Sequence, residues 1–409
     1  MKEKLFTKNF TLLVLGQVSS LFGNYILRLA LSMYVLELTG SAAVFAGLLS
    51  AATIPTILLS PFGGILADRA DRRTITVALD AMTGTAVLCA ALLLSEQRAL
   101  VVIGALLVLL SVLGAFETPT VQACIPSMLT GDNIIRGNAV VNQTASISYL
   151  TAPLLGGIFY SAFGIKPVMY ASVLCFFVTA FLECFIRLDY RPAGFGGNAL
   201  AVAKADFLDS VRFIGKERRD ILRILLLAAL SRFFVMGVTL VGLPFLVRTV
   251  LGLDARYYGA AESVLAVAVI AGSMAAGVLA GKIEKGGLSP MLAAVGLCIV
   301  PAGLAFLLPA GTGVRYAVLV AAFCGMQIAI SMFSIYAVSM IQQGTPEYMI
   351  GKVMAYTSAI TMCAQPVGQM VYGFLFDGCK EAVWLVLIPT GAIVCGIGMA
   401  IRTVNLKEA

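Results

Sequence analysis

The chain has 409 residues, 60% of them hydrophobic and only 12% charged, whereas a soluble domain sits nearer half apolar and a quarter charged. No water-soluble core of this length absorbs so much apolar side chain, so most of it must face lipid. The absence of histidine excludes imidazole bases, histidine metal ligands and Ser-His triads together.

Each bilayer crossing takes roughly 20 predominantly apolar residues, and backbone groups in lipid must be satisfied within the segment, which makes the spans helices. In chain order the apolar runs predict spans near 10–37, 42–67, 74–95, 99–120, 138–163 and 167–187. After a polar stretch they predict spans near 222–249, 257–281, 288–309, 314–342, 350–375 and 382–401. The first run follows Lys2, Lys4 and Lys8; it is too long for a signal-peptide core and has no convincing cleavage site, so it is read as a span. The nine cysteines are scattered without a Cys-x-x-Cys pair and read as small buried hydrophobes. The expected domains are 1–187, a linker over 188–221, and 222–409. Within the linker, Leu200, Ala203, Phe207, Val211 and Ile214 recur at helical spacing, which predicts an amphipathic helix on the inner membrane surface.

With the N-terminus cytoplasmic, 20 of the 28 Lys and Arg fall on the cytoplasmic side, six on the outer side, and Arg28 and Arg232 within spans. That asymmetry fits the positive-inside rule and places both termini in the cytoplasm. The formal net charge of +7 therefore reflects topology and not nucleic-acid binding.

The chain repeats itself. Gly64-Ile-Leu-Ala-Asp68-Arg69 ends span two and Gly277-Val-Leu-Ala-Gly281-Lys282 ends span eight, 213 residues later; the same offset carries Pro153 onto Pro366 and Phe163 onto Phe376. Six spans per copy leave both halves in one orientation, a parallel repeat of the kind secondary transporters use to rock two bundles about a central site.

Between spans two and three the chain reads Gly63-Gly64-Ile65-Leu66-Ala67-Asp68-Arg69-Ala70-Asp71-Arg72-Arg73. Gly64 allows close helix approach. Asp68 can accept charge-assisted hydrogen bonds from an arginine or a helix N-terminus, forming a latch that must break between conformations. The alternative is that Arg69, Arg72 and Arg73 serve only as topology anchors. This string resembles the loop-two/three signature of the major facilitator superfamily, Gly-x-Leu-x-Asp-Arg-x-Gly-Arg-Arg, with Asp71 at the usual glycine. The resemblance covers the whole chain and is strongest to the macrolide-efflux-type drug exporters, through Phe116-Glu117-Thr118-Pro119, Pro126…Arg136-Gly137-Asn138 and Tyr258-Gly259-Ala-Ala-Glu262. Thr151-Ala152-Pro153-Leu-Leu-Gly156-Gly157 resembles the antiporter motif Gly-Pro-x-x-Gly-Gly, in which proline frees a carbonyl and glycines thin the helix. One departure stands out: the arginine that drug/proton antiporters carry midway along span four is Leu110 here, so their proton relay does not carry over. The resemblance implies an all-α membrane fold of two six-helix bundles related by a pseudo-twofold axis, acting as a monomer in the bacterial cytoplasmic membrane.

Ionisable groups in lipid are costly and normally face a cavity or a partner. Those that stand out within spans are Arg28, Asp80, Glu117, Arg232 and Glu262. The resemblance places spans one, four, seven and ten around a cavity, giving Asn24, Arg28, Glu117, Arg232, Gln327, Ser331 and Tyr336 as substrate-binding candidates. Glu117, Asp80 and Glu262 are the proton-coupling candidates; structural pairing is the alternative for each. Gly64, Asp68, Arg69, Arg72, Arg73, Pro153, Gly156, Gly157, Gly277, Gly281, Lys282 and Pro366 are the gating candidates. No metal site or cofactor is expected. An ATP pump would need a Gly-x-x-x-x-Gly-Lys-Ser/Thr loop, which the sequence lacks, and no Gly-x-Ser-x-Gly marks a hydrolase. The expectation is a proton-coupled exporter of hydrophobic or amphiphilic small molecules working by alternating access. The alternative is a carrier of an organic anion, lipid or metabolite, including an importer.

Overall fold

A computed structural model of the chain describes residues 5–69, 71–188, 219–279, 288–346 and 349–403, and every regular element among them is helical. The first six helices are α1 (Lys8–Thr39), α2 (Ala42–Arg69), α3 (Arg72–Leu93), α4 (Ala99–Met128), α5 (Asp132–Phe163) and α6 (Ile165–Glu183). Span seven begins as α7 (Arg219–Met236); α8 (Ala255–Leu279), α9 (Leu288–Leu307), α10 (Thr312–Gln343), α11 (Ile350–Gly378) and α12 (Trp384–Thr403) complete the set. Nine of the described helical stretches are long and apolar enough to cross a membrane by length and composition. The amphipathic helix expected in the linker falls on 189–218, and Gly281 and Lys282 on 280–287, outside the described residues.

Local chemistry sets the ends. The Thr7 side chain caps α1 by accepting from the Phe10 N–H at 3.3 Å, one of the orphan donors of a helix start. Gly40 stops α1 in the left-handed region at φ 57°, returning its N–H to Leu36 O, a conformation that costs a side-chain-bearing residue. Asp71, the departure from the signature, caps α3 through Thr74. Helix α4 runs on past Pro119 and Pro126, well beyond the predicted end, and α5 starts earlier than predicted. Each proline removes one helical bond, and the extra turns are held because Cys124, Ile125 and Leu129 pack with Phe10, Leu13 and Ile186 in one buried cluster.

Span seven departs from the continuous α-helix expected. Beyond α7 it widens into π-helical turns over Gly237–Gly242, passes through Leu243–Phe245, and widens again over Leu246–Val250. The widening lies where a Cβ at Gly237 would strike the Tyr372 ring and Gly368 O, and one at Gly242 would strike Phe376. Such π-bulges concentrate at functional positions.

The chain divides into two compact units. Unit 1 comprises Met1–Gly40, Leu48–Phe195 and Leu253–Ser263; unit 2 comprises Ser41–Gly47, Gly196–Gly252 and Val264–Ala409. In unit 1, α3 packs on α4 and α6, and α1 on α5 and α6; in unit 2, α9 packs on α10 and α12, and α7 on α11. The pairings α3–α4, α3–α6 and α1–α5 recur as α9–α10, α9–α12 and α7–α11, whereas the extensive α1–α6 packing has only a slight counterpart in α7–α12.

Each unit also takes in a short piece of a helix from the other half of the sequence. In unit 2 the start of α2 docks on the end of α11. The Asp377 carboxylate accepts from Ser41 Oγ, from Ala42 N at 2.6 Å and from Ala43 N at 3.1 Å, and a Cβ at Gly373 would meet Ala42 O at 3.0 Å. A carboxylate at a helix N-terminus is favoured by both the free N–H groups and the helix dipole. Removing it with Asp377→Ala is expected to loosen this dock by about 2 kcal/mol, the scale of one lost charge-assisted bond. The expected readout is a rise of roughly tenfold or more in the thiol-labelling rate of a cysteine placed at Ala43 in a cysteine-depleted chain; unchanged labelling would show that Asp377 holds nothing.

Candidate functional site

The predicted candidates divide between the units. In unit 1, Asn24 and Arg28 stand one turn apart on α1, and Arg28 Nε donates to Asn24 Oδ1 at 2.7 Å. That bond orients a guanidinium which, although mid-span, is exposed at its tip. Glu117 comes from α4, half-buried. Two residues on, Pro119 removes the helical bond that Ala115 O would otherwise accept, and Gly63 of α2 approaches that carbonyl so closely that any Cβ there would collide with it.

Ser20 ties two of the carboxyls together: its hydroxyl lies 3.0 Å from Asp80 Oδ1 and 3.3 Å from Glu117 Oε1. Asp80, on α3, is 2% exposed, and its Oδ2 has no hydrogen-bond partner. Sequence reading missed a third carboxyl. Glu183 ends α6, is fully buried, and neither of its oxygens finds a donor. It lies inside the predicted span 167–187, four residues before its end, and does not stand out there. Helices α1 and α3 both cover it. On one side α6 crosses α1, where Ser172 Oγ donates to Gly23 O and Thr179 Oγ1 to Gly16 O, both at 3.1 Å, with no side chain on either glycine to hold the helices apart; on the other α6 packs on α3.

The antiporter-like motif makes the closest backbone contacts in this unit. Gly156 faces Ile26 of α1, where a Cβ would sit 3.2 Å from Ile26 Cα. Gly157 faces the first turn of α8: a Cβ on it would lie 2.6 Å from Ala255 O and 3.0 Å from Arg256 Cα. The contact is mutual, because a Cβ on Gly259 would run into Pro153 O, and Ser161 Oγ caps the Arg256 N–H at 3.2 Å. Glu262 follows on α8 and accepts from Tyr258 Oη at 2.5 Å. Tyr25 and Tyr149 stack edge-to-face beside this region, ring centroids 5.6 Å apart.

In unit 2, Arg232 on α7 donates through Nη2 to Gln365 Oε1 at 3.4 Å, while its buried Nε finds no partner. Gln327 on α10 is buried with Oε1 unpartnered. Two other candidates are engaged in helix packing: Ser331 lies against Gly272 of α8, and Tyr336 Oη donates to Ala276 O at 3.4 Å. Pro366 lies inside α11, and a Cβ on Gly277 would meet open space.

Of the loop candidates, Gly64, Asp68 and Arg69 complete α2, with side chains outside the described residues. Arg72 bridges helices: Nε reaches Ala67 O and Nη1 reaches Ala123 O, both at 2.9 Å, and Nη1 also contacts Ser127 Oγ. Arg73 donates to Cys184 O at the end of α6. These arginines join one end each of α2, α3, α4 and α6.

Twelve helices in two similarly packed sets, with this loop, match the family model of the Major Facilitator Superfamily over residues 13–369. The chain belongs to the major facilitator superfamily. It is a multi-pass membrane transporter and not an enzyme, and its substrate is a small molecule. Among curated relatives, Macrolide efflux protein A of Streptococcus pyogenes is 23% identical over 405 residues, covering 96% of each chain. The Staphyloferrin A transporter of Staphylococcus aureus is 27% identical over 165 residues, covering 39% of this chain and 41% of that one. Among solved structures, an auto-inhibited POT family peptide transporter superposes with a TM-score of 0.73 at 12% identity, covering 98% of both chains. A D-xylose–proton symporter does so with a TM-score of 0.69 at 12% identity and 97% coverage of each. At such identity the structural matches carry the superfamily fold alone.

Proposed function

We propose that this transporter is a proton-coupled exporter of hydrophobic or amphiphilic small molecules, acting as a monomer in the bacterial cytoplasmic membrane with both termini inside. The observation that carries the reading is the mid-span group of unit 1, in which Arg28, oriented by Asn24, and Glu117, bonded to Ser20, are the residues that two exchanging ligands need. A carboxyl hidden from bulk water can take a proton when the substrate leaves and give it up when the substrate returns. Full-length similarity to Macrolide efflux protein A supports efflux as the direction and an amphiphile as the cargo. The glycine-lined contacts of α5 with α8 and of α11 with α2 supply surfaces that seat without side chains to interlock, so they can part and re-form in alternating access.

A second reading has one observation in its favour. Arg232 keeps a buried, unpartnered Nε, and a guanidinium with donors to spare suits a carboxylate or phosphate. An organic anion or metabolite is then the cargo. The two readings separate in cells expressing the protein. Lower steady-state accumulation of ethidium or erythromycin, reversed by an uncoupler, is the expected result. If neither compound changes in accumulation, export of amphiphiles is ruled out and the anion reading takes its place.

A further inference from the structure

We propose that Asp80, Glu117 and Glu183 form one buried proton-binding site inside the first six-helix bundle, with Asp80 and Glu183 sharing a proton. Helix α3 brings Asp80, α4 brings Glu117, α6 brings Glu183, and α1 supplies Ser20 and Gln17. Ser20 bridges Asp80 and Glu117. Asp80 and Glu183 face one another within hydrogen-bonding reach, a contact two carboxyls can make only when one of them carries the proton. As bare carboxylates they would leave Asp80 Oδ2 and both Glu183 oxygens buried with no donor. The Thr76 hydroxyl, which donates to Arg73 O at 3.1 Å, also stands beside Glu183 and is a neutral donor near it. Two fully buried negative charges side by side, with the half-buried Glu117 beyond Ser20, are untenable in a low dielectric, so the group keeps protons. Gln17, 7% exposed with Nε2 unpartnered, adds an amide donor one helical turn from Ser20.

The duplication provides an internal control. At the repeat offset, Ser20, Asp80 and Glu117 fall on Phe233, Ala293 and Ile330. At that offset Glu183 falls on Gly396, beside which a Cβ would meet open space, and Ala293 packs on the backbone of Gly398 two residues further along the same helix. The scaffold therefore carries apolar residues at this point, and three acids in the first copy are not required for packing. The other ionisable groups facing the cluster are Arg28 of α1, beside Glu117; Arg72 and Arg73 of α3 and Cys124 of α4, towards Glu183; Tyr25 and Tyr149 lie beyond Arg28 on α1 and α5. Among the described residues no group of three or more His, Cys, Asp or Glu is disposed to hold a metal ion. The site lies partly on α3 and α6, so it stores a proton behind the α1 and α4 side chains.

The use of this proton in transport rests on the export reading above; its presence does not. The experiment is infrared difference spectroscopy of the full-length protein in lipid vesicles, following the carbonyl stretch of protonated carboxyls from acid to alkaline pH. The wild type should show a titrating band, and E183Q and D80N should each remove part of it. D80N/E183Q should remove all but the share of Glu117 and Glu262. Amide replacements preserve shape, and a thermal unfolding midpoint near that of the wild type certifies the fold; E183Q alone serves where the double variant does not fold. A band unchanged in E183Q and D80N overturns the proposal, as does a wild-type band that never titrates. Loss of the band on adding sodium at fixed pH also overturns it, by making the site a sodium site. Absence of dye or macrolide export with the titrating band intact would sink only the export reading.

Discussion

Gly259→Val is expected to abolish transport, read as the proposed export, while leaving an inserted, folded protein. A Cβ at Gly259 would occupy the place of Pro153 O and lie 3.3 Å from Gly157 Cα. Both neighbours are backbone, so no rotamer change relieves the clash, and the helices must separate. Overpacking of this kind costs about 1–3 kcal/mol, which displaces a two-state balance by roughly 5- to 150-fold. The disturbance is confined to the α5–α8 interface, where it also loosens the Ser161–Arg256 bond, and the thermal midpoint should move little. Two measurements check it: ethidium efflux should fall to the level of cells without the protein, and a cysteine at Ala260 in a cysteine-depleted chain should label faster. Gly157→Ala, which meets Ala255 O from the opposite side, should act in the same direction. Wild-type efflux by G259V would mean that the α5–α8 contact takes no part in the transport cycle.

Glu117→Gln is expected to separate movement from its driving force. Glutamine keeps the length and can still meet the Ser20 hydroxyl, but it cannot carry a proton. The variant should equilibrate ethidium across vesicles down its own gradient and fail to move it uphill when a pH gradient is imposed. The same vesicles should show uncoupler-insensitive flux, because nothing remains for the gradient to act on. Uphill transport at the wild-type rate in E117Q would remove this residue from coupling and transfer the role to Asp80 and Glu183.

Much of this could be read from the chain because membrane physics writes in long, coarse strokes. Span count, the repeat and the antiporter-like stretch follow from apolar length and from proline and glycine punctuation, and the structure gives Gly156 and Gly157 the close backbone contacts that thinning a helix predicts. The Asn24–Arg28 pair was legible as neighbours one helical turn apart. Glu183 was not legible, because its burial depends on α6 crossing α1 at Gly16 and Gly23, and no one-dimensional pattern shows which helices cross. Asp377 was overlooked for a similar reason: it ends a span and reads as a loop residue until the start of α2 is laid against it. The widened turns of span seven follow from ring-against-glycine contacts at Tyr372 and Phe376, which hydropathy does not register.

Those widened turns make the duplicate halves mechanically unequal. Ordinary helix α1 is stiff along its length, whereas span seven stores surplus chain in its Gly237–Gly242 and Leu246–Val250 coils. Releasing one residue from a π-turn into α geometry turns everything beyond it by about 100°, since 3.6 residues make a full revolution. Span seven can therefore act as a swivel, re-aiming its far end without sliding through the bilayer.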